Sequence, residues 1–529
     1  MSEKFKNHRG LITAAITFFV IELAIVLFRY HAYYHTDTSF DLGIFNQVFW
    51  NGHQGRFFQS SLSSSLSVSV ETPFVSYHRL GQHFTPALLL WLPIYLLFPY
   101  APMLLFLNVT LITVAGIVLY ILARQRLEPN LATWITISYY CANAVIGPTL
   151  GHFQDFCQFP LFTFGLFLAL EKRHWWWFGI CAVLIVAIRE EAAVVLFSIG
   201  FYLILSKRFP WLGLGVCLAS LVYAIVVTTY IMPLFSHDVS SRFLIEEFGQ
   251  YVEGEQTSSL DVLWGILKNP WRLFLELLTP FSPTLTYILG QFIPLGFISV
   301  ISGATWMLIA FPLLTILLRK SEWALSLDLR YSLTLVPGIF YGAILWWFYH
   351  PEAQKNRFFK RFWAVCLSLS LILTITSSPN DALAFIIPNS FQPWLYFSPV
   401  QQWNHARIIE KLIAQIPPDA SVSASPDIVP HLSSRREILR APNVELINDA
   451  GQKIWLDYMI IDFRKNQRFQ VISSGDRRIL AKDVPTVEAF LDKNEYGLIG
   501  YQDGVILLKR STPDDPILLS QWQAFRQTL

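Results

Sequence analysis

The sequence predicts a mainly α-helical, polytopic transmembrane bundle followed by a small soluble α/β domain. Two observations carry this reading. Of 529 residues, 53% are hydrophobic and only 14% are charged, where a soluble chain carries roughly 25% charged residues; the mean hydropathy is +0.43. The apolar residues also fall in long blocks, as membrane helices require, and the blocks stop near residue 378. Beyond it, short β-rich runs such as "YMIID", "YGLIGY" and "GVILLKR" alternate with helix-like stretches at 400–416 and 486–494, which is the pattern of a small α/β domain. The expected division is a membrane module over 1–377 and an external domain over 378–529.

The first block, "LITAAITFFVIELAIVLF", follows the basic "MSEKFKNHRG" and ends in "RYHAYYH". It lacks the small-residue cleavage site of a signal peptide, so it reads as an uncleaved span with its basic end in the cytoplasm. The spans expected are 11–29, 101–122, 131–148, 157–171, 175–189, 192–206, 211–232, 283–300, 302–318, 331–349 and 362–377. The run 84–98 is also apolar but short, and Pro86 and Pro93 interrupt it. If it lies along the outer interface, Arg124/Arg126, Lys172/Arg173, Lys207/Arg208 and Lys355/Arg357/Lys360/Arg361 all fall inside with the N-terminus; if it crosses, they fall outside. The positive-inside rule selects the first case. This gives about 11 spans, a cytoplasmic N-terminus and an external tail, with Arg319/Lys320 and Arg330 as external exceptions.

The net charge of +2 gives no reason to expect a nucleic-acid partner. The five cysteines (Cys141, Cys157, Cys181, Cys217 and Cys366) lie in or at the ends of apolar blocks and show neither zinc spacing nor a disulfide framework. No short repeat is evident, and "SSLSSSLSVSVE" is a Ser-rich stretch of the first external loop.

Carboxylates, histidines and arginines collect on the external face, and ionisable groups at a membrane mark function by default. Asp37 and Asp41 open the first loop in "TDTSFDLGIFNQVFW". Asp41 precedes Leu42, Phe45, Phe49 and Trp50, which suit one face of an interfacial helix. It could take a proton from an acceptor hydroxyl or bind a metal; equally, it could be the N-cap of that helix. His152 and Asp155 in "GHFQDF" would share a face at helical spacing, or form a polar helix-end loop. Arg189, Glu190 and Glu191 in "AIREEAAV" sit between apolar runs with no room for a solvated loop. They must pair with one another or with a ligand. Arg79, Arg189 and Arg330 are candidates for bidentate phosphate binding, and His78 and His83 for metal ligation.

The segments "FDLGIFNQVFWNGHQG", "HFTPALLLWLPIYLLFP", "GHFQDF", "IREEAAV", "LRYSLTLVP" and "ASVSASPDIVPHLSSRREI" together resemble an uncharacterised family of predicted bacterial membrane proteins grouped with the GT-C superfamily of membrane glycosyltransferases. The resemblance covers most of the chain. It implies a GT-C-like bundle in the bacterial inner membrane, with interfacial helices in the first external loop and a periplasmic tail. The implied reaction moves a sugar from a polyprenyl-phosphate donor to a glycan, lipid or protein acceptor. Asp41 is the position matching the GT-C catalytic or metal-associated carboxylate, with Asp37 second and a divalent ion (Mg or Mn) as candidate cofactor. Family members often have "FDQ" where this chain has "FNQ", so Asn46 weakens any two-carboxylate scheme. The competing classes are a transporter or flippase, which would place ionisable residues near the midplane among internal repeats, and a non-catalytic scaffold with a degenerate glycosyltransferase fold.

Overall fold

The computed structural model describes residues 2–34, 39–67, 70–236, 248–251, 259–376 and 386–529. The chain divides into two compact units, one of residues 1–25, 80–91 and 105–380, the other of residues 26–79, 92–104 and 381–529. Segments of the first loop thus group with the tail.

The first unit is helical. Each expected span contains helix, but not every one is continuous. Among the described residues five helices are long and apolar enough to cross a membrane: Arg9–His31, Ala101–Ala123, Pro210–Leu234, Arg330–Tyr349 and Arg357–Ile375. The segment expected at 283–300 belongs to a pair, Pro270–Glu276 and Phe281–Leu295, bent by 70°. Left-handed backbone at Gly296 and Phe297 (φ 57° and 61°) ends it. The segment at 131–148 is broken too, into Pro129–Tyr140 and Asn143–Leu150. Breaks in a membrane helix persist only where other groups satisfy the freed backbone. Here Ser370 does so from the helix Arg357–Thr376: its hydroxyl donates to the Cys141 carbonyl at 2.8 Å and accepts from the Asn143 N–H at 3.4 Å. Pro86–Tyr95 is a short apolar helix. Its first six residues are 3₁₀ and its last four α-helical, so it rises only about 18 Å, well short of a bilayer core of about 30 Å.

The basic segments gather at one end of this unit. Glu171, buried at the end of the helix Phe159–Lys172, pairs with Arg126 at 2.8 Å and Arg208 at 2.7 Å and accepts from the Tyr341 hydroxyl. Arg126 also lies over the Phe348 ring at 4.6 Å. These contacts tie the ends of four membrane helices together where the positive-inside argument placed the cytoplasmic loops.

The second unit is built on a five-stranded sheet. Its strands are β1 (Val422–Ala424), β2 (Ile438–Arg440), β3 (Tyr458–Asp462), β4 (Tyr496–Gln502) and β5 (Val505–Arg510), in the order β2-β1-β3-β5-β4. β1 runs parallel to β2 and β3, whereas β3–β5 and β4–β5 are antiparallel. The β4–β5 hairpin turns through Asp503 and Gly504, both at positive φ (47° and 79°), as a two-residue hairpin demands. One face buries Met459, Ile461, Leu498, Ile506 and Leu508 against Phe463, Val487 and Trp522.

A buried charge cluster joins two strand ends of this sheet to a helix. His405, from the helix Pro399–Ile413, contacts Asp462 through Nε2 and Asp503 through Nδ1, each at 2.9 Å. Burial alone would lower the imidazole, but the two carboxylates outweigh it and raise it to about 10. Burial would likewise raise Asp503, yet bonds to His405 and Arg464 bring it down to about 2. The signs follow by linkage. The raised imidazole stabilises fully below its unfolded value of about 6.5, and that contribution is lost as pH rises through 10. The lowered Asp503 stabilises above its unfolded value of about 3.9 and loses this as pH falls through 2. The advantage of the wild type over His405→Gln in urea-denaturation midpoint is therefore expected to shrink between pH 6.5 and pH 10.5. An unchanged gap across that window would remove the cluster as its source.

The helix Ser39–His53 packs on the tail within this unit. Asn46 Nδ2 donates to Ser433 and Ser434 Oγ at 2.8 and 3.0 Å, and its Oδ1 accepts from Tyr95 at 2.8 Å. Gln47 Nε2 donates to the Arg435 and Arg436 carbonyls at 3.1 Å. At Gly43 a Cβ would overlap Val429 Cγ1, so the helix needs glycine for this approach. Gly43→Ala is expected to lose about 1–3 kcal/mol by overpacking, although alanine favours helix. Thermal unfolding of Gly43→Ala with Val429→Ala checks this: the second change should recover most of the loss.

Candidate functional site

The helix Trp175–Ile188 has 14 residues and rises about 21 Å, short of a bilayer core of about 30 Å. The Arg189–Glu191 turn that follows is therefore set among apolar helices, not carried out into solvent. Arg189 is 2% exposed. Its guanidinium fans out to three partners: Nε to Glu191 at 2.9 Å, Nη1 to Asp155 at 3.5 Å and Nη2 to His83 Nε2 at 2.7 Å. It also lies over the Phe156 ring at 5.3 Å. Glu190 accepts from the Phe84 N–H at 2.8 Å and meets His83 Nδ1 at 2.9 Å. Because His83 Nε2 accepts from arginine, the proton lies on Nδ1 and points at Glu190. Glu191 pairs with Arg319 as well. Arg319 in turn lies over the Tyr331 ring at 4.4 Å. Arg330 donates to Gln154 Oε1 at 3.1 Å and to the Tyr331 hydroxyl at 3.3 Å.

Three arginines, three carboxylates and a histidine thus meet at one end of the first unit, opposite the basic segments bound to Glu171. The reading that the REE turn must pair holds within this unit. Arg319, taken from sequence as a topological exception, is a buried member of the cluster. Its signal was an arginine closing an apolar run, which does not reveal a partner 128 residues away.

Other expected residues are placed differently. His152 and Asp155 do not share a helical face. His152 has left-handed backbone (φ 73°), and a 3₁₀ turn begins only at Asp155, so the two side chains leave different backbone conformations. Asp155 is fully buried, accepts from the Phe156 N–H at 3.0 Å and joins the cluster through Arg189. Both ring nitrogens of His83 are occupied by Arg189 and Glu190, which leaves no lone pair for a metal. His78 and Arg79 belong to the second unit. Burial holds the His78 imidazole below its ordinary range. Arg79 is buried over the Phe45 ring at 4.8 Å and donates to Ser63 at 3.3 Å. Among the described residues no three His, Cys, Asp or Glu side chains gather as a metal site requires.

Asp41 lies in the first turn of the helix Ser39–His53. The helix begins two residues earlier, so Asp41 is not its N-cap; its charge acts on the helix dipole instead. Leu42, Phe45 and Phe49 are buried within the protein, which replaces the expected lipid-facing helix face with a packed one. Asp37 lies outside the described residues.

A family model described as a predicted membrane protein (DUF2079) matches residues 33–507. The chain belongs to that family. No curated protein matches the DUF2079 chain by sequence. Among solved structures it is similar to the oligosaccharyltransferase of Archaeoglobus fulgidus, crystallised with Zn and sulfate. The identity is 12%, the match covers 91% of this chain and 71% of that one, and the TM-score is 0.37.

Proposed function

We propose that this DUF2079 protein is an integral-membrane glycosyltransferase that moves a sugar from a polyprenyl-phosphate donor to an acceptor at the external face. One observation carries the reading: the cluster of Arg189, Arg319 and Asp155, buried, with Arg330, Glu190, Glu191 and His83, half-buried, at a single end of the membrane unit. Ionisable groups so placed are costly and mark substrate chemistry. The resemblance of the loop and turn motifs to GT-C enzymes supports the same reading.

In the proposed reaction the acceptor oxygen or nitrogen attacks the anomeric carbon, the bond from that carbon to the phosphate oxygen breaks, and polyprenyl phosphate leaves with the electron pair. Asp41 takes the acceptor proton. Arg330 is the proposed phosphate contact, since charge developing on the leaving group is where fixed cations matter most. Arg189, engaged with Asp155, Glu191 and His83, is assigned to position the cluster. The external face is assigned from the sorting of basic segments, with the inner membrane of a bacterium as the proposed setting.

A transporter or flippase is the second reading, favoured by the recessed position of the REE turn. Lipid-extract mass spectrometry separates the two in a host lacking the native gene. Glycosyl transfer predicts that expression adds a sugar to an acceptor and releases polyprenyl phosphate, and that Arg330→Gln reduces this. Unchanged covalent products, with donor lipid merely redistributed between leaflets, would reject the enzyme.

A further inference from the structure

A cavity of about 740 Å³ opens in the first unit at the end where the basic segments gather. The helix Val336–Tyr349 ends there, and the helices Pro129–Tyr140 and Arg357–Thr376 begin there. Trp134, Trp347, Phe359 and Trp363 line it, with Glu128 and Lys360. The Trp347 and Trp363 rings stack at 5.9 Å, Trp134 is tilted against Trp363 at 5.8 Å, and Phe359 meets Trp347 edge-on at 5.4 Å. Trp363 Nε1 is satisfied inside the protein by Ser138 Oγ and the Pro294 carbonyl. Trp347 is 1% exposed. Glu128 and Lys360 are both exposed, and neither makes an ion pair among the described residues.

An aromatic wall beside a carboxylate suits a cation. An ammonium lining the same cavity suits an anion. Both occur on one cavity at the end of a membrane bundle, where tryptophan and lysine meet headgroups. We infer that this cavity binds the headgroup of a zwitterionic aminophospholipid, its ammonium against Glu128 and the aromatic rings and its phosphate against Lys360. An acidic lipid would leave Glu128 repelling its phosphate. A neutral glycolipid would leave both charges unused.

Native mass spectrometry of the full chain, released from nanodiscs of equal phosphatidylethanolamine and phosphatidylglycerol, tests the inference. Phosphatidylethanolamine should be retained preferentially. Glu128→Gln should cut that preference about threefold, the scale of an exposed cation–π or ion-pair contact, and Lys360→Gln should weaken retention of both lipids. Both charged sites are exposed, so the charge variants should fold. Equal retention of the two lipids, or retention indifferent to Glu128 and Lys360, would overturn the proposal.

Discussion

Arg189→Met is expected to destabilise the membrane unit more than any other single change at the site. The guanidinium is buried and is the shared partner of Asp155, Glu191 and His83. Its removal leaves Asp155, which has no exposed surface, as an uncompensated charge. Breaking a buried pair from one side costs about 3–5 kcal/mol, a large share of a total stability of about 5–15 kcal/mol. Arg189→Lys should be intermediate: an ammonium keeps the charge but lacks the planar fork that reaches three partners at once. Asp155→Asn combined with Arg189→Met should cost less than the sum of the two, because the second change removes the charge that the first strands. Thermal unfolding in detergent provides the measurement. An unfolding temperature unchanged in Arg189→Met would show the turn to be solvated and would withdraw its positioning role.

That cluster also shows what a sequence discloses. The REE turn was legible because three charges between apolar runs have no solvent to meet, a conflict local to a few residues. Its partners were not legible. His83 and Arg319 reach it across 106 and 128 residues, and nothing in either one's neighbourhood encodes that approach. The same limit applies to 131–148. Hydropathy reads the composition of the segment, whereas its break depends on Ser370, supplied by another helix. Asn46 looked like a lost carboxylate because the motif was read for chemistry. Its bonds to Ser433, Ser434 and Tyr95 give it a packing role that no spacing rule contains. The α/β character of the tail was visible in its short runs, but the mixed parallel order was not, since alternation reports burial and not strand direction.

Asp41→Asn is the substitution expected to separate chemistry from folding. The helix that carries Asp41 is held to the tail by Asn46, Gln47 and the close contact at Gly43, none of which involves the carboxylate. Asparagine keeps the side-chain size. Of what it loses, the charge in the first turn is worth about 0.3–1 kcal/mol against the helix dipole. Expression and unfolding temperature should therefore stay near those of the wild type. An amide, however, cannot take up the acceptor proton, and loss of a general base slows a reaction by about 10²–10⁴-fold. Asp37→Asn, outside the matching motif, is expected to have a much smaller effect and serves as the comparison. Glycolipid or glycan product measured at equal expression decides the matter. Full activity in Asp41→Asn would reject the catalytic assignment. Loss of folded protein would make Asp41 a structural carboxylate, and the enzyme reading would then rest on the arginine cluster.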